Sequence, residues 1–105
     1  MSKIITQPVI TETGSAIGLS MEWKGGQIVI IVAEQGLVAC GAIDVKVMDA
    51  FSAIVAVAKG TPLSPLKTPD DLLAAKIVDA TSKAKENGVA IGMSGKEALA
   101  KLLKI

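Results

Sequence analysis

Between Gln27 and Met48 the chain runs through two apolar stretches with almost no polar interruption, and the other elements arrange themselves around that pair. Ile28 to Ala33 is continuously apolar and rich in β-branched residues, which are stiff at χ1 and suit a pleated surface. It is short for a helix and has no polar side, so it predicts a strand covered on both faces, with Ile30 buried. Glu34, Gln35 and Gly36 interrupt the run, and Gly36 predicts a short hairpin loop with a left-handed residue. Leu37 to Ile43 is a second strand without alternation. Asp44 then reads as an N-cap, since its carboxylate can accept from the open N–H groups of the next turn. Val47, Phe51 and Ile54 fall at i, i+4 and i+7 and give a helix from Val45 to about Ala53 its apolar side.

Upstream, Ile4, Ile5, Val9 and Ile10 predict a first strand, with Pro8 marking an edge position or a break. Thr13-Gly14-Ser15 is a turn. Ala16 to Trp23 alternates cleanly and predicts a half-buried strand, with Ile17, Leu19, Met21 and Trp23 on one face. Gly18 and Ser20 leave little bulk on the other face, which a neighbouring chain could approach closely. Lys24-Gly25-Gly26 closes a hairpin, so the first four strands form an antiparallel meander. Two adjacent strands that are apolar on both faces need two covers. A chain of 105 residues has few helices to offer, so one face is expected to be closed by another copy of the protein.

Downstream, Ile54 to Ala58 predicts a return to the sheet as a fifth strand, ended by Lys59-Gly60. Three prolines between Pro62 and Pro69 make an extended connector. Thr68-Pro69-Asp70-Asp71 starts a helix, with Thr as cap, Pro in the first position and acids in the first turn. Leu73, Ile77, Ala80 and Ala84 fit one helical stripe across residues 70–87, but a break near Ala75 with a second helix from about Asp79 is the favoured division. Gly88 after Asn87 predicts a left-handed cap, Val89 to Ile91 a short extended piece, and Ser94-Gly95-Lys96-Glu97 a capping box opening the last helix.

Composition narrows the function classes. Hydrophobic residues are 50% of the chain and charged residues 20%. At this size folding buries roughly 65% of the extended-chain surface, about 10,000 Å², enough for a core without staples. So much apolar surface in a small domain predicts self-association, as a dimer or tetramer. The net charge of +1, with every one of the eleven basic residues a lysine, argues against nucleic acid as a partner. One Trp, one Phe and no Tyr also deny a base-stacking platform. Histidine is absent, which removes the usual general base and the commonest metal ligand. No cofactor or metal is expected. The single cysteine fits a reducing compartment, the N-terminus shows no signal peptide, and no apolar run approaches the ~18 residues of a membrane span. A cytoplasmic protein is the expectation.

Candidate chemistry is sparse. Cys40-Gly41 precedes a helix start, where a thiol can have a lowered pKa and act as a nucleophile or sensor. Asp44 nearby would oppose that shift and there is no histidine to activate the sulfur, so a packed core cysteine beside a glycine is the plainer reading. Gly92 to Glu97 invites comparison with a phosphate-binding loop, but Ala90 stands where that spacing needs Gly and Glu97 where it needs Ser or Thr. What remains is a capped helix start, with a weak site for a small anionic ligand at Ser94, Gly95 and Lys96. Asp70 and Asp71 are ordinary first-turn acids, and Trp23, at a strand end, suits an interface anchor as well as a core position.

Three ordered segments nevertheless carry a resemblance. Gly36-Leu37-Val38-Ala39-Cys40-Gly41-Ala42-Ile43-Asp44 resembles the signature of the YunC-like family, small bacterial and archaeal proteins of unknown function: Gly, an aromatic or aliphatic residue, two variable residues, Cys-Gly, one variable residue, an aliphatic residue, and Asp or Asn. Lys67 to Leu73 is similar to that family's basic-Thr-x-acidic-acidic-Leu-Leu segment, and Gly92 to Leu99 to its Gly-Met-Ser-Gly-basic-Glu-Ala-Leu segment. Leu37, where an aromatic is frequent, and the Pro-rich run from Gly60 to Leu66 depart from the pattern. The resemblance implies an α+β domain whose N-terminal β region mediates tetramer assembly, and it implies no catalytic residue.

The sequence therefore predicts one α+β domain over residues 1–105. Its mixed, mainly antiparallel sheet has four or five strands with helices on one face, and the strands of about residues 1–34 contribute to a homo-oligomeric interface. A non-enzymatic self-associating module of uncharacterised role is the leading function. A small thiol-dependent enzyme or sensor using Cys40 and a binder of small anionic ligands are the alternatives.

Overall fold

The computed structural model describes residues 2–105. The chain is α+β. Six strands lie side by side in chain order: β1 (Lys3–Ile10), β2 (Ser15–Trp23), β3 (Gly26–Val32), β4 (Leu37–Ala39), β5 (Val55–Ala58) and β6 (Ile77–Ala80). Every neighbouring pair is antiparallel except β4 with β5. A parallel pair cannot be joined by a tight turn, and the crossover is made by α1 (Val45–Ala50). Helices α2 (Pro69–Ala74), α3 (Ser82–Glu86) and α4 (Gly95–Leu103) follow β5.

Strand register assigns the two faces. Gly18, Ile31, Val38 and Ala56 are successive neighbours across the sheet and so share one face. That face carries the core: Val29, Ile31 and Val38 pack with Leu72 of α2 and Ala98, Leu99 and Leu102 of α4. Gly95 lets the two helices meet, because a side chain there would run into the Leu72 carbonyl. On the second face, Val55 and Val57 are 0% and 2% exposed. α1 packs on β5, and its Met48 borders a hollow with Val32, Leu37 and Val55, all second-face residues. So α1 covers the β4–β5 end of the face that α2 and α4 leave free.

Pro8 does not interrupt β1, and the ladder explains why. Thr11 and Gly14 exchange backbone hydrogen bonds at the β1–β2 turn, so pairing alternates outward from there. Pro8, three residues back and opposite Ile17, falls where the amide nitrogen points away from β2. Its missing N–H costs the ladder nothing and removes a donor from the sheet edge.

Several expectations change. The sheet has six strands rather than four or five. The extra one, β6, lies inside the predicted helical stripe: the chain breaks at Ala75 as favoured, but residues 77–80 are extended and the next helix begins at Ser82. A register shift between β5 and β6 at Val57/Ala58 leaves Ile77 and Ala80 buried and Val78 and Asp79 exposed, which imitates a helical period. β4 ends at Ala39, not Ile43. α1 ends at Ala50, and Phe51 is 78% exposed, so the predicted apolar side of that helix does not face the core. Helices therefore do not all pack on one face. Gly36 does not have a positive φ; a glycine is needed because the Ile54 carbonyl lies 2.5 Å from where its Cβ would be. Gly88, at φ 98°, is the left-handed residue expected after Asn87.

Candidate functional site

Over β1–β3 the second face has no cover among the described residues. Its thirteen residues run from Ile4 to Val32 in alternate positions, and not one is charged. Ile17 lies opposite Val32, Leu19 opposite Ile30, and Met21 between Ile28 and Ile4, a continuous sheet of cross-strand apolar pairs. Ile4, Ile10, Ile17, Trp23 and Val32 are exposed, and Leu19, Met21, Ile28 and Ile30 are half-buried. Trp23 folds over the adjoining turn, so that a side chain at Gly26 would meet its ring at 2.7 Å.

The bulky side of β2 is thus the open one. The small side, Ala16 and Gly18, is buried, and what approaches it is not a neighbouring chain but α2. A Cβ at Gly18 would lie 2.5 Å from Pro69 Cγ. Ile30, expected in the core, belongs to the open face, and Ile31 takes its place inside. The chain exposes 6199 Å², against about 5,500 Å² for an average monomer of this mass.

Cys40 lies on the opposite, helix-covered side. It is a free thiol, 8% exposed. Its N–H donates to the Val29 carbonyl at 3.1 Å, and its carbonyl accepts from Ile43 N–H at 3.2 Å. A hollow of about 350 Å³ opens beside it, walled by Gln27, Gly41 and the connector residues Thr61, Pro65 and Leu66. The connector keeps its shape because Thr61 and Ser64 exchange backbone hydrogen bonds at 3.1 Å, leaving Leu63 99% exposed at the tip. No wall residue is ionisable apart from the thiol. Asp44 is not in the wall; its carboxylate caps α1, accepting from Lys46 N–H at 2.9 Å and Val47 N–H at 3.3 Å.

At the start of α4 the capping box is closed. Ser94 Oγ accepts from Glu97 N–H at 3.0 Å, and the Glu97 carboxylate accepts from Ser94 N–H at 3.2 Å. Gly95 N–H donates to the Ala75 carbonyl at 2.8 Å. The N–H groups of Ser94, Gly95 and Glu97 are thus engaged, and a carboxylate already stands beside them. Lys96 points to solvent. None of Asp44, Ser94, Gly95 and Lys96 reaches the hollow beside Cys40. Among the described residues no cluster of His, Cys, Asp and Glu is placed to hold a metal ion, and no helix is long and apolar enough to cross a membrane.

Comparisons with known proteins bear on the family and the fold. The profile of a domain of unknown function, DUF1805, matches residues 39–102, starting at the end of β4. The uncharacterized protein YunC of Bacillus subtilis is 27% identical over 97 residues, covering 92% of this chain and 95% of that protein. The crystal structure of a protein of unknown function from Thermoplasma acidophilum superposes with a TM-score of 0.86 at 20% identity, over 96% of this chain and 94% of that one.

Proposed function

The chain belongs to the DUF1805 family, a domain of unknown function, and on that premise we propose that it is a self-associating module built by pairing the open faces of β1–β3. The observation that carries this reading is the uncharged apolar face itself. The nine residues of β2, flanked by the eight of β1 and the seven of β3, at ~3.3 Å per residue and ~4.8 Å between strands give a patch of up to roughly 30 by 14 Å. With side-chain relief this is on the order of 600 Å² per copy, or about 1,200 Å² in total, the lower end of stable interfaces. That is the upper end of what a monomer leaves bare, and patches of this size commonly mark interaction surfaces. A second copy is the fitting occupant: the face offers no charge by which a different partner would be selected, and a flat apolar patch is complementary to itself across a two-fold axis. A tetramer needs a further contact of the same pair.

Trp23 supplies the test, because it is the one tryptophan and lies on this face. Its emission should move to the red on dilution through the dissociation range, with rising acrylamide quenching. Emission independent of concentration, from a species of monomer mass, would remove the proposal.

The hollow beside Cys40 favours a second reading, a thiol-dependent sensor or enzyme for a small uncharged ligand, in a reducing cytoplasm. Alkylation at neutral pH separates the two. Reaction of Cys40 faster than a free thiol supports the second reading, and reaction only on unfolding ends it.

A further inference from the structure

The covered end of the second face restricts how two open faces can meet. A helix about 10 Å across resting on a sheet has its axis about as far above that sheet as a second packed sheet would be. α1 rests on the β4–β5 end, so it stands at the level a partner's sheet would occupy. Two two-fold arrangements bring open faces together with the strands of the two copies aligned. With the axis running across the strands, β1 lies on β1, and each α1 is driven into the partner's β4 and β5. With the axis running along the strands, β1 lies over the partner's β3, and each α1 stands beside the partner's free β1 edge. Only the second avoids collision.

The flank that α1 turns to that edge is apolar. Residues on a helix are about 100° apart. Met48 faces the sheet. Asp49 turns to one side, where its carboxylate accepts from Ser82 N–H at 3.1 Å and from Ser82 Oγ at 2.9 Å, at the start of α3. Val47 and Phe51 turn to the other side, away from α3 and toward β3. They are 46% and 78% exposed. The β1 edge they would meet is blunted at its centre by Pro8, which presents no donor. That edge suits an apolar cover better than a pairing strand.

We infer that Val47 and Phe51 grip the β1 edge of a second copy, in an arrangement that lays β1 of each copy over β3 of the other. The inference rests on the open-face reading, and it adds the area that lifts a marginal patch into the stable range.

The test is cross-linking with a short bismaleimide in a Cys40→Ala background. Tagged Thr6→Cys and Phe51→Cys chains are mixed, and mass is followed by light scattering. A Thr6–Phe51 adduct between copies, with little Thr6–Thr6 adduct, is expected. Thr6–Thr6 adducts alone, or an oligomer that gives neither product, overturns the contact while leaving the open-face reading intact. A monomeric mass before cross-linking overturns both. In the otherwise native chain, Phe51→Glu should raise the dissociation constant at least tenfold without moving the melting curve of the monomer. A change under twofold also overturns the contact.

Discussion

Ile30 and Ile31 are neighbours in β3 with side chains on opposite faces, so one substitution made at each site reports on two different surfaces. Ile31 is 0% exposed and packs in the helix-covered core. An aspartate there must stay neutral at pH 7, a shift of about 3 pKa units or ~4 kcal/mol. The lost apolar burial adds ~2–3 kcal/mol. Together these approach the whole ~5–15 kcal/mol by which a small domain is stable, so Ile31→Asp should leave little folded protein. Ile30 is half-buried in the single chain, and an aspartate there keeps contact with water. Its cost to the lone subunit is about 1 kcal/mol. The same carboxylate is desolvated when the open faces pair, so association should weaken by at least a thousandfold, the equivalent of ~4 kcal/mol. Circular dichroism melts at submicromolar protein, with mass measured at micromolar protein, separate the two effects. The expected result is a folded, monomeric Ile30→Asp protein and an unfolded Ile31→Asp protein. If Ile30→Asp unfolds the dilute chain as Ile31→Asp does, or leaves the oligomer intact, the assignment of faces is wrong.

Other consequences are smaller in scale. Ser94→Ala opens the capping box of α4 and should cost about 1 kcal/mol in urea denaturation. Gly18→Ala places a methyl group against the Pro69 ring and Val9 and should cost ~1–3 kcal/mol by the same measurement. Asp71 accepts from the backbone N–H groups of Lys67 and Thr68, which holds its pKa below the ordinary aspartate value. A carboxyl whose pKa falls on folding contributes stability above its unfolded pKa and loses it as pH drops through the folded value. The stability gap between the native chain and Asp71→Asn should therefore be constant near neutral pH and narrow below about pH 4. A gap independent of pH down to the acid transition would contradict this.

Much of the fold is written in local patterns. β2 follows from alternation, β3 from its β-branched apolar run and their hairpin from the Lys24-Gly25 turn, and the caps at Asp44, Thr68 and Ser94 follow from single side chains whose partners lie within three residues. β6 was illegible for a physical reason: four residues with a register shift bury the first and the fourth, the same spacing a helix uses. The faces of β2 misled for another. Alternation shows that two faces differ, and bulk suggests which one is inside. Yet α2 brings Pro69 so close that only a glycine fits beneath it at Gly18, and the bulky face is left for something outside the chain. The absence of charge from every second position of three successive strands was the available signal for that face. The hollow at Cys40 depends on how Thr61 to Ser64 closes on itself, and nothing in the composition of the connector announces that closure.

Light scattering coupled to size exclusion at micromolar concentration tests the open face most directly. A mass of two or four times 10.7 kDa, falling to one on Ile30→Asp, is the result this structure predicts. A single 10.7 kDa species at every concentration would mean that water alone covers β1–β3, and the proposed assembly would be wrong.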